Sequence, residues 1–333
     1  MGRLAALPTA VILAFAGCGG AGTGTMSAVP LGTTTQSRAH KASGSYADLL
    51  YASGNTEVAI LTYRGGATVG SITGVLPAGV CADATTGNVW IVMEKSDGFY
   101  ADEFSHGGTT PIGEVKVPDA LLALECAVDP SSHSLAVTNW EVGYGSPYID
   151  VWTGGAGNPS AYSTPFSPQS VVYDNKGNLF TTGDTESSSF QFAELPKGGS
   201  IFTNIHLDRP AVWPGGLAWD GKYVVVGYGD PGRGQSQRIY RVRIEGSRGH
   251  VVGTQEFKGL PKRNFFWLQG DTIIAAPGKR LSGDAFWRYP QGGKPYKAGV
   301  GSFNAYYAAV SASPSSSLSP RVTALRKGRG RTF

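Results

Sequence analysis

The 333-residue chain has little of what most enzymes use for chemistry. Its five histidines, His40, His106, His133, His206 and His250, are scattered without the close spacing that holds a metal. It contains no HExxH, CxxC or GxSxG motif and no glycine-rich loop ending in Lys-Ser or Lys-Thr. The linear signatures of zinc peptidases, thiol redox sites, hydrolase elbows and P-loops are therefore excluded, although a nucleophile and base converging from distant strands would escape such a search. Charged residues make up only 16% of the chain, and no long stretch repeats its apolar residues every 3.6 positions, which argues against a helical architecture.

An excess of positive charge over the body of the chain is also missing. The formal charge of +4 rests on Arg3 in the leader and on Arg321, Arg326, Lys327, Arg329 and Arg331 in the tail. Without these six, 22 basic residues face 24 acidic ones. A near-neutral body lacks the cationic face that phosphate recognition requires, so nucleic acid is not an expected partner.

The amino terminus points to export. Residues 1–17 carry one basic residue followed by the apolar run Ala10 to Ala16, the layout of a signal peptide and too short to span a bilayer. Phe15-Ala16-Gly17-Cys18 resembles a bacterial lipobox, with Phe15 in place of the usual Leu, and implies lipidation at Cys18. Residues 18–45 are mostly Gly, Ser, Thr and Ala and read as a flexible tether from that anchor. Residues 313–333 read as a disordered basic tail. The expected setting is extracytoplasmic: a monomeric, membrane-anchored lipoprotein of the bacterial cell envelope.

What the chain has in quantity is glycine, 48 residues, with 20 prolines, a balance that favours many short strands and turns. A Gly-Gly or Gly-small doublet begins at Gly65, Gly107, Gly154, Gly198, Gly246 and Gly292, in steps of 42 to 48 residues. Between the doublets a second pattern recurs: an apolar run, an aspartate, a turn and another apolar run. The aspartates are Asp83, Asp129, Asp174 and Asp220, with a degenerate copy at Asp271. Asp accepts backbone amides in tight turns, and Gly and Asn tolerate positive φ, so these residues are expected to be scaffold.

A period of this size in a strand-rich chain predicts a six-bladed β-propeller of four-stranded blades over residues 46–312. The aspartates mark the hairpin between first and second strands, and the glycine doublets the hairpin between third and fourth. Six doublets face only five aspartate turns, so the first blade lacks its innermost strand. Residues Ala305 to Ser311 are available to fill that place and close the ring. Cys81 and Cys126 fall in equivalent strands of neighbouring blades, offset by one position; they either face each other or point apart. Buried free thiols are expected, with a disulfide open to them in an oxidising compartment.

The pattern of apolar run, Asp, Gly-Asn and apolar run, followed by a Gly-Gly hairpin, resembles the NHL-type, gluconolactonase-like and streptogramin-lyase-like six-bladed propellers of exported bacterial proteins. Propellers of this kind bind ligands with the loops that join second and third strands, which begin near Ser53, Glu94, Asn139, Asp184, Tyr228 and Lys279. Glu94, Asn139, Trp140, Asp184 and Asp230 are the candidate ligand-binding residues, and no catalytic residue is assigned. The leading expectation is a binding module, without a cofactor, for a protein, peptide or glycan. The resemblance also implies an alternative, a lactone hydrolase or lyase using a divalent ion such as Ca2+, with Glu94, Asn139 and Asp184 as the metal positions to test. Polar loops of this composition are equally what a β-rich protein exposes to water. Trp90, Trp152, Trp219, Trp267 and Trp287 are expected to pack between blades, with Trp140 and Trp213 in loops and His106 and His133 in solvent.

Overall fold

The computed structural model describes residues 47–141, 147–185, 189–229, 236–261, 264–277, 283–301 and 306–313. The leader, Cys18, the tether, Asp230, Lys279 and the basic tail lie outside them. Apart from one 3-10 turn at Thr153–Gly155, the described elements are strands.

The first blade begins with β1 (Leu49–Ser53), β2 (Glu57–Thr62) and β3 (Thr68–Thr73). The second is β4 (Leu76–Ala82), β5 (Val89–Lys95), β6 (Gly98–Phe104) and β7 (Pro111–Lys116); the third is β8 (Ala120–Val128), β9 (Leu135–Glu141), β10 (Tyr148–Trp152) and β11 (Ser160–Ser163). The fourth is β12 (Ser167–Tyr173), β13 (Leu179–Asp184), β14 (Phe190–Leu195) and β15 (Thr203–Asn204). After the short β16 (His206–Leu207), the fifth blade holds β17 (Trp213–Trp219), β18 (Val224–Gly229), β19 (Ser236–Glu245) and β20 (Arg248–Pro261). The sixth is β21 (Trp267–Gln269), β22 (Thr272–Ala275), β23 (Asp284–Arg288) and β24 (Lys297–Val300). Finally β25 (Tyr307–Ser311) returns to the first blade and pairs antiparallel with β1, Leu49 opposite Ser311 and Ser53 opposite Tyr307.

The innermost strands β25, β4, β8, β12, β17 and β21 touch in a closed cycle, so the sheets form the expected propeller ring. Blade five departs from the four-stranded plan. β20 runs for 14 residues and would leave a long open edge; β16 covers part of it in parallel, with Leu207 opposite Gly249.

Each pair of neighbouring blades encloses one cluster of buried apolar side chains. Alternation along each strand sends successive side chains to opposite faces, so every central strand feeds two clusters. On β1, Leu49 and Tyr51 pack towards blade two while Leu50 and Ala52 pack towards blade six. Trp90 and Trp152 fill the interface of blades two and three, and Trp287 that of blades five and six.

The turns follow the chemistry of their residues. Asp83, Asp129, Asp174 and Asp220 each accept the backbone N–H two residues on, at 2.7, 2.9, 2.8 and 2.9 Å, which fixes them as scaffold. At the outer hairpins Gly107, Gly154, Gly198, Gly246 and Gly292 take positive φ. The first hairpin differs: Arg64 at φ 64° and Gly66 at φ 81° take the left-handed positions, and Gly65 between them does not.

Two expectations need correction. Cys81 and Cys126 are not free thiols but a disulfide, with Cα atoms 5.6 Å apart. A one-residue offset between β4 and β8 brings the two side chains to the shared face of blades two and three, not to opposite outer faces. His106 is half-buried, its Nδ1 2.6 Å from Ser311 Oγ at the ring closure. The His133 side chain stays 44% exposed, as expected, while contacting Asp83 Oδ2 across a blade interface at 2.7 Å.

Because the disulfide ties two blades across a separation of 45 residues, its removal by Cys81→Ser/Cys126→Ser is expected to cost about 2–4 kcal/mol. Chemical denaturation of the variant beside the oxidised and reduced wild type checks this, and equal stability of all three would exclude the staple.

Candidate functional site

Two regions near the axis bring together distinctive side chains. One is the face carrying the loops between second and third strands; the other is a cavity on the axis itself.

The sequence-predicted residues belong to the loop face. Glu94, near the end of β5, is exposed and lies opposite Leu76 in the β4–β5 ladder. Asn139 on β9 is only 2% exposed. Its Nδ2 donates to Asp150 Oδ2 at 2.7 Å and to Pro118 O at 2.9 Å, while Oδ1 is buried without a partner among the described residues. Trp140 lies within β9 and not in a loop, half-buried, and its Nε1 donates to Pro168 O of the next blade at 2.8 Å. Asp184 ends β13 and accepts from Gln169 Nε2 at 2.9 Å. The three residues considered for a metal thus stand at the same end of successive second strands, and Asn139 and Asp184 are each bonded to a different partner. Trp213, also expected in a loop, opens β17.

Around this mouth, apolar side chains are exposed. Leu76 is 51% exposed, Leu121 61% and Tyr306 48%. They stand within one residue of the starts of β4, β8 and β25, three successive innermost strands. Leu121 is thrust out by a bulge in the β8–β9 ladder between Ala120 and Leu122. Glu94 and Trp140 flank this arc through their pairings with Leu76 and Leu122.

The cavity has a volume of about 200 Å3 and runs between the innermost strands of all six blades. Ala84 and Pro130 rim it beside the aspartate turns, and Phe265 and Tyr307 lie towards the loop face. Trp219 and Trp267, expected to pack between blades, also line it, as does the Cys81–Cys126 disulfide. Among the described residues, Glu125 is the one acidic or basic residue in the wall.

The placement of Glu125 follows from a repeated irregularity. The ladders between first and second strands slip in blades two to five, at Pro77/Gly79, Ala123/Cys126, Pro168/Ser170 and Pro214/Leu217. At this height a side-chain oxygen reaches the next blade: Glu125 Oε2 accepts Val171 N at 3.0 Å, and Ser170 Oγ accepts Leu217 N at 2.8 Å. Gly79 holds the equivalent place in blade two, where a Cβ would sit 2.4 Å from Leu124 O. Burial pushes the Glu125 carboxyl up to about 8, against the opposing effect of its bonds to Ser170 and Val171. In sequence, Glu125 is the only charged residue in the run Ala120 to Val128 on a first strand, a signal the loop-centred reading passed over.

A second buried carboxyl, Asp284 on β23, is fully enclosed, and neither oxygen has a hydrogen-bond partner among the described residues. Burial alone pushes it up to about 8.

No family model matches the chain, and no curated protein matches it in sequence. Solved structures do resemble it. One is a chain from the crystal structure of a nidogen/laminin complex, with a TM-score of 0.62 and 14% identity, covering 80% of this chain and 99% of that one. TolB from Acinetobacter baumannii has a TM-score of 0.56 and 15% identity, covering 80% and 67%. A putative 6-phosphogluconolactonase from Bacteroides fragilis has a TM-score of 0.51 and 13% identity, covering 79% and 97%. The shared property is the fold. The chain is a six-bladed β-propeller.

The buried carboxyls give this propeller a defined pH response. Unfolded, Glu125 and Asp284 release their protons at their ordinary values of 4.5 and 3.8; folded, they keep them to about 8. Between those limits the folded chain binds more protons, so stability falls as pH rises and levels off above about 8. Asp284→Asn removes one contribution and is expected to exceed the wild type by about 2–4 kcal/mol at pH 8.5, the two converging near pH 4. Urea melts across this range check it; parallel pH curves would refute the assignment.

Proposed function

We propose that the chain is an extracytoplasmic, lipid-anchored binding module that docks a protein or peptide on the loop face of blades one to three. The observation that carries this reading is the arc of Tyr306, Leu76 and Leu121, exposed around one mouth of a rigid ring. Large apolar side chains gathered on one face favour burial against a partner, and polar neighbours such as Glu94 supply orientation. Trp140 adds an aromatic body beside the arc, while Asn139 and Asp150 brace the strands beneath it. Asp184 stands at the same end of the neighbouring blade.

The compartment is supported from two sides. The leader ends in the lipobox-like Phe15-Ala16-Gly17-Cys18, and the body holds a disulfide, a bond that persists in oxidising compartments. Anchoring at Cys18 would leave the propeller on a tether of Gly, Ser and Thr, free to orient this face. Cys18→Ser is expected to move the protein from the membrane to the soluble fraction in a bacterial host, and an unchanged distribution would remove the anchor from the reading.

The docking face is tested by selecting displayed peptides against the wild-type propeller and measuring them on Leu76→Glu/Leu121→Glu. Affinity is expected to fall at least about 10-fold, the loss of more than one buried apolar contact, with the melting temperature retained. Peptides indifferent to the substitutions would place the interface elsewhere. Calcium-dependent turnover of a lactone panel, lost in Glu94→Ala, would replace the binding reading with the hydrolase one.

A further inference from the structure

Blade four leaves part of its third strand without a regular outer neighbour. β15 holds only two residues and pairs with β14 at Ala193 and Glu194. Beyond it the chain touches β14 at two points, where Ile205 N donates to Phe192 O at 2.8 Å and Phe190 N donates to Val212 O at 3.0 Å. Between those bonds the chain bows away to blade five. There His206 N donates to Ser247 O at 2.9 Å, Asp208 N to Gly249 O at 3.0 Å, and the Tyr240 hydroxyl to Pro210 O at 2.8 Å. Closing the bow onto β14 would break these bonds, so the gap is held open from its far side. It forms a cleft of about 320 Å3.

The lining of the cleft has two chemical characters. Phe190, Phe192, Leu207 and Ala211 are apolar and continue the cluster shared by blades four and five. Asn204, His206 and Arg209 stand among the polar lining, which holds no acid among the described residues. The neighbouring acids are engaged elsewhere: Asp208 accepts Val251 N at 3.0 Å and faces His250, and Asp184 accepts Gln169 Nε2 at 2.9 Å. Arg209 is exposed and pairs with no carboxylate among the described residues. The main chain contributes as well. The N–H and C=O of one strand residue point to the same side, so the Phe192 N–H and Phe190 C=O face the gap between the two bonds that frame it.

We propose that this cleft is a binding site for an acylated α-amino acid carboxylate, either a free N-acyl amino acid or the last residue of a peptide. Its apolar side chain would lie against Phe190 and Leu207, and its carboxylate would meet Arg209, whose planar guanidinium matches a carboxylate in a two-bond fork. The ligand's main-chain groups supply the donor and acceptor that a longer β15 would have brought to Phe190 and Phe192. An amine would find no acid in the lining, and a purely apolar ligand would leave the strand edge unpaired. The cleft shares no lining residue with the axial cavity or with the arc of Tyr306, Leu76 and Leu121, so it stands whether or not that arc docks a partner.

N-acetyl-leucine serves as the probe, with N-acetyl-leucinamide as the uncharged analogue and leucinamide as the cation. Titrations of the intact propeller, followed by amide resonances, are expected to show saturable binding of N-acetyl-leucine, with the Phe192 N–H among the resonances that move. N-acetyl-leucinamide should bind roughly 10-fold more weakly, the loss of one charge-assisted hydrogen bond, and leucinamide more weakly still. Arg209→Gln should bring N-acetyl-leucine to the affinity of its amide and leave the amide unchanged, a split that general loosening of the fold would not produce. A tetrapeptide ending in leucine separates the two sources of this chemistry: affinity equal to N-acetyl-leucine assigns a chain terminus, and exclusion assigns a free acid. The inference is overturned if N-acetyl-leucine does not bind, if the Phe192 resonance is indifferent to it, if Arg209→Gln binds it as tightly as the wild type, or if either uncharged or cationic analogue binds equally well.

Discussion

The structure depends on one pairing, β25 against β1. A four-stranded blade is apolar on both faces and hides neither by itself; each face is covered only when a neighbouring blade lies against it. With β25 seated, Val310 and Ala308 join the cluster shared with blade six, and Ala309 the one shared with blade two. Without that strand, β1 would present an open edge, and two of six apolar interfaces would lack their innermost wall. The seam is also where polar ties gather. Ser311 Oγ donates to Gly87 O and meets His106, and Tyr51 OH receives the Gly107 N–H from blade two.

Polar stitches then repeat around the ring. The disulfide and the Asp83–His133 contact join blades two and three, Glu125 joins three to four, and Ser170 joins four to five. Asp220 receives Tyr289 OH at 2.7 Å between blades five and six, and Arg64 reaches Asp271 between one and six. Blade contacts thus combine non-directional burial with a few directional bonds that fix the height of one blade against the next. The exposed Arg64–Asp271 pair adds little to stability; buried links such as Glu125 to Val171 N are the ones that set register.

This construction separates two chemical surfaces. At the loop face, innermost strands begin, backbone direction changes from blade to blade, and apolar residues such as Leu121 are pushed into solvent. On the axis the same strands converge, and whatever their inward positions carry becomes the wall of the axial cavity. Most of that wall is aliphatic or aromatic. Its acidic member sits at a recurring bulge, where the backbone N–H groups freed by the irregularity need acceptors. Thr138 Oγ1 supplies one, accepting Leu124 N and Glu125 N. Glu125 is therefore an acceptor for a neighbouring blade and a feature of the cavity at once.

The propeller, its blade count and its closure by the carboxy-terminal strand were legible in the chain, because turn chemistry is local. An Asx turn needs its aspartate two residues before the amide it receives, and a left-handed hairpin position favours glycine wherever the blade stands in the ring. The candidate site was only partly legible. The ends of the second strands were correctly located at Glu94, Asn139 and Asp184, but whether a side chain turns outward, as for Glu94, or inward onto Asp150, as for Asn139, depends on the neighbouring strand. The disulfide, the burial of Glu125 and Asp284, and the meeting of Trp219 and Trp267 on the axis were decided only by tertiary structure. Each arises from blades far apart in sequence packed side by side, at a height set by bulges and inter-blade bonds that no single repeat encodes.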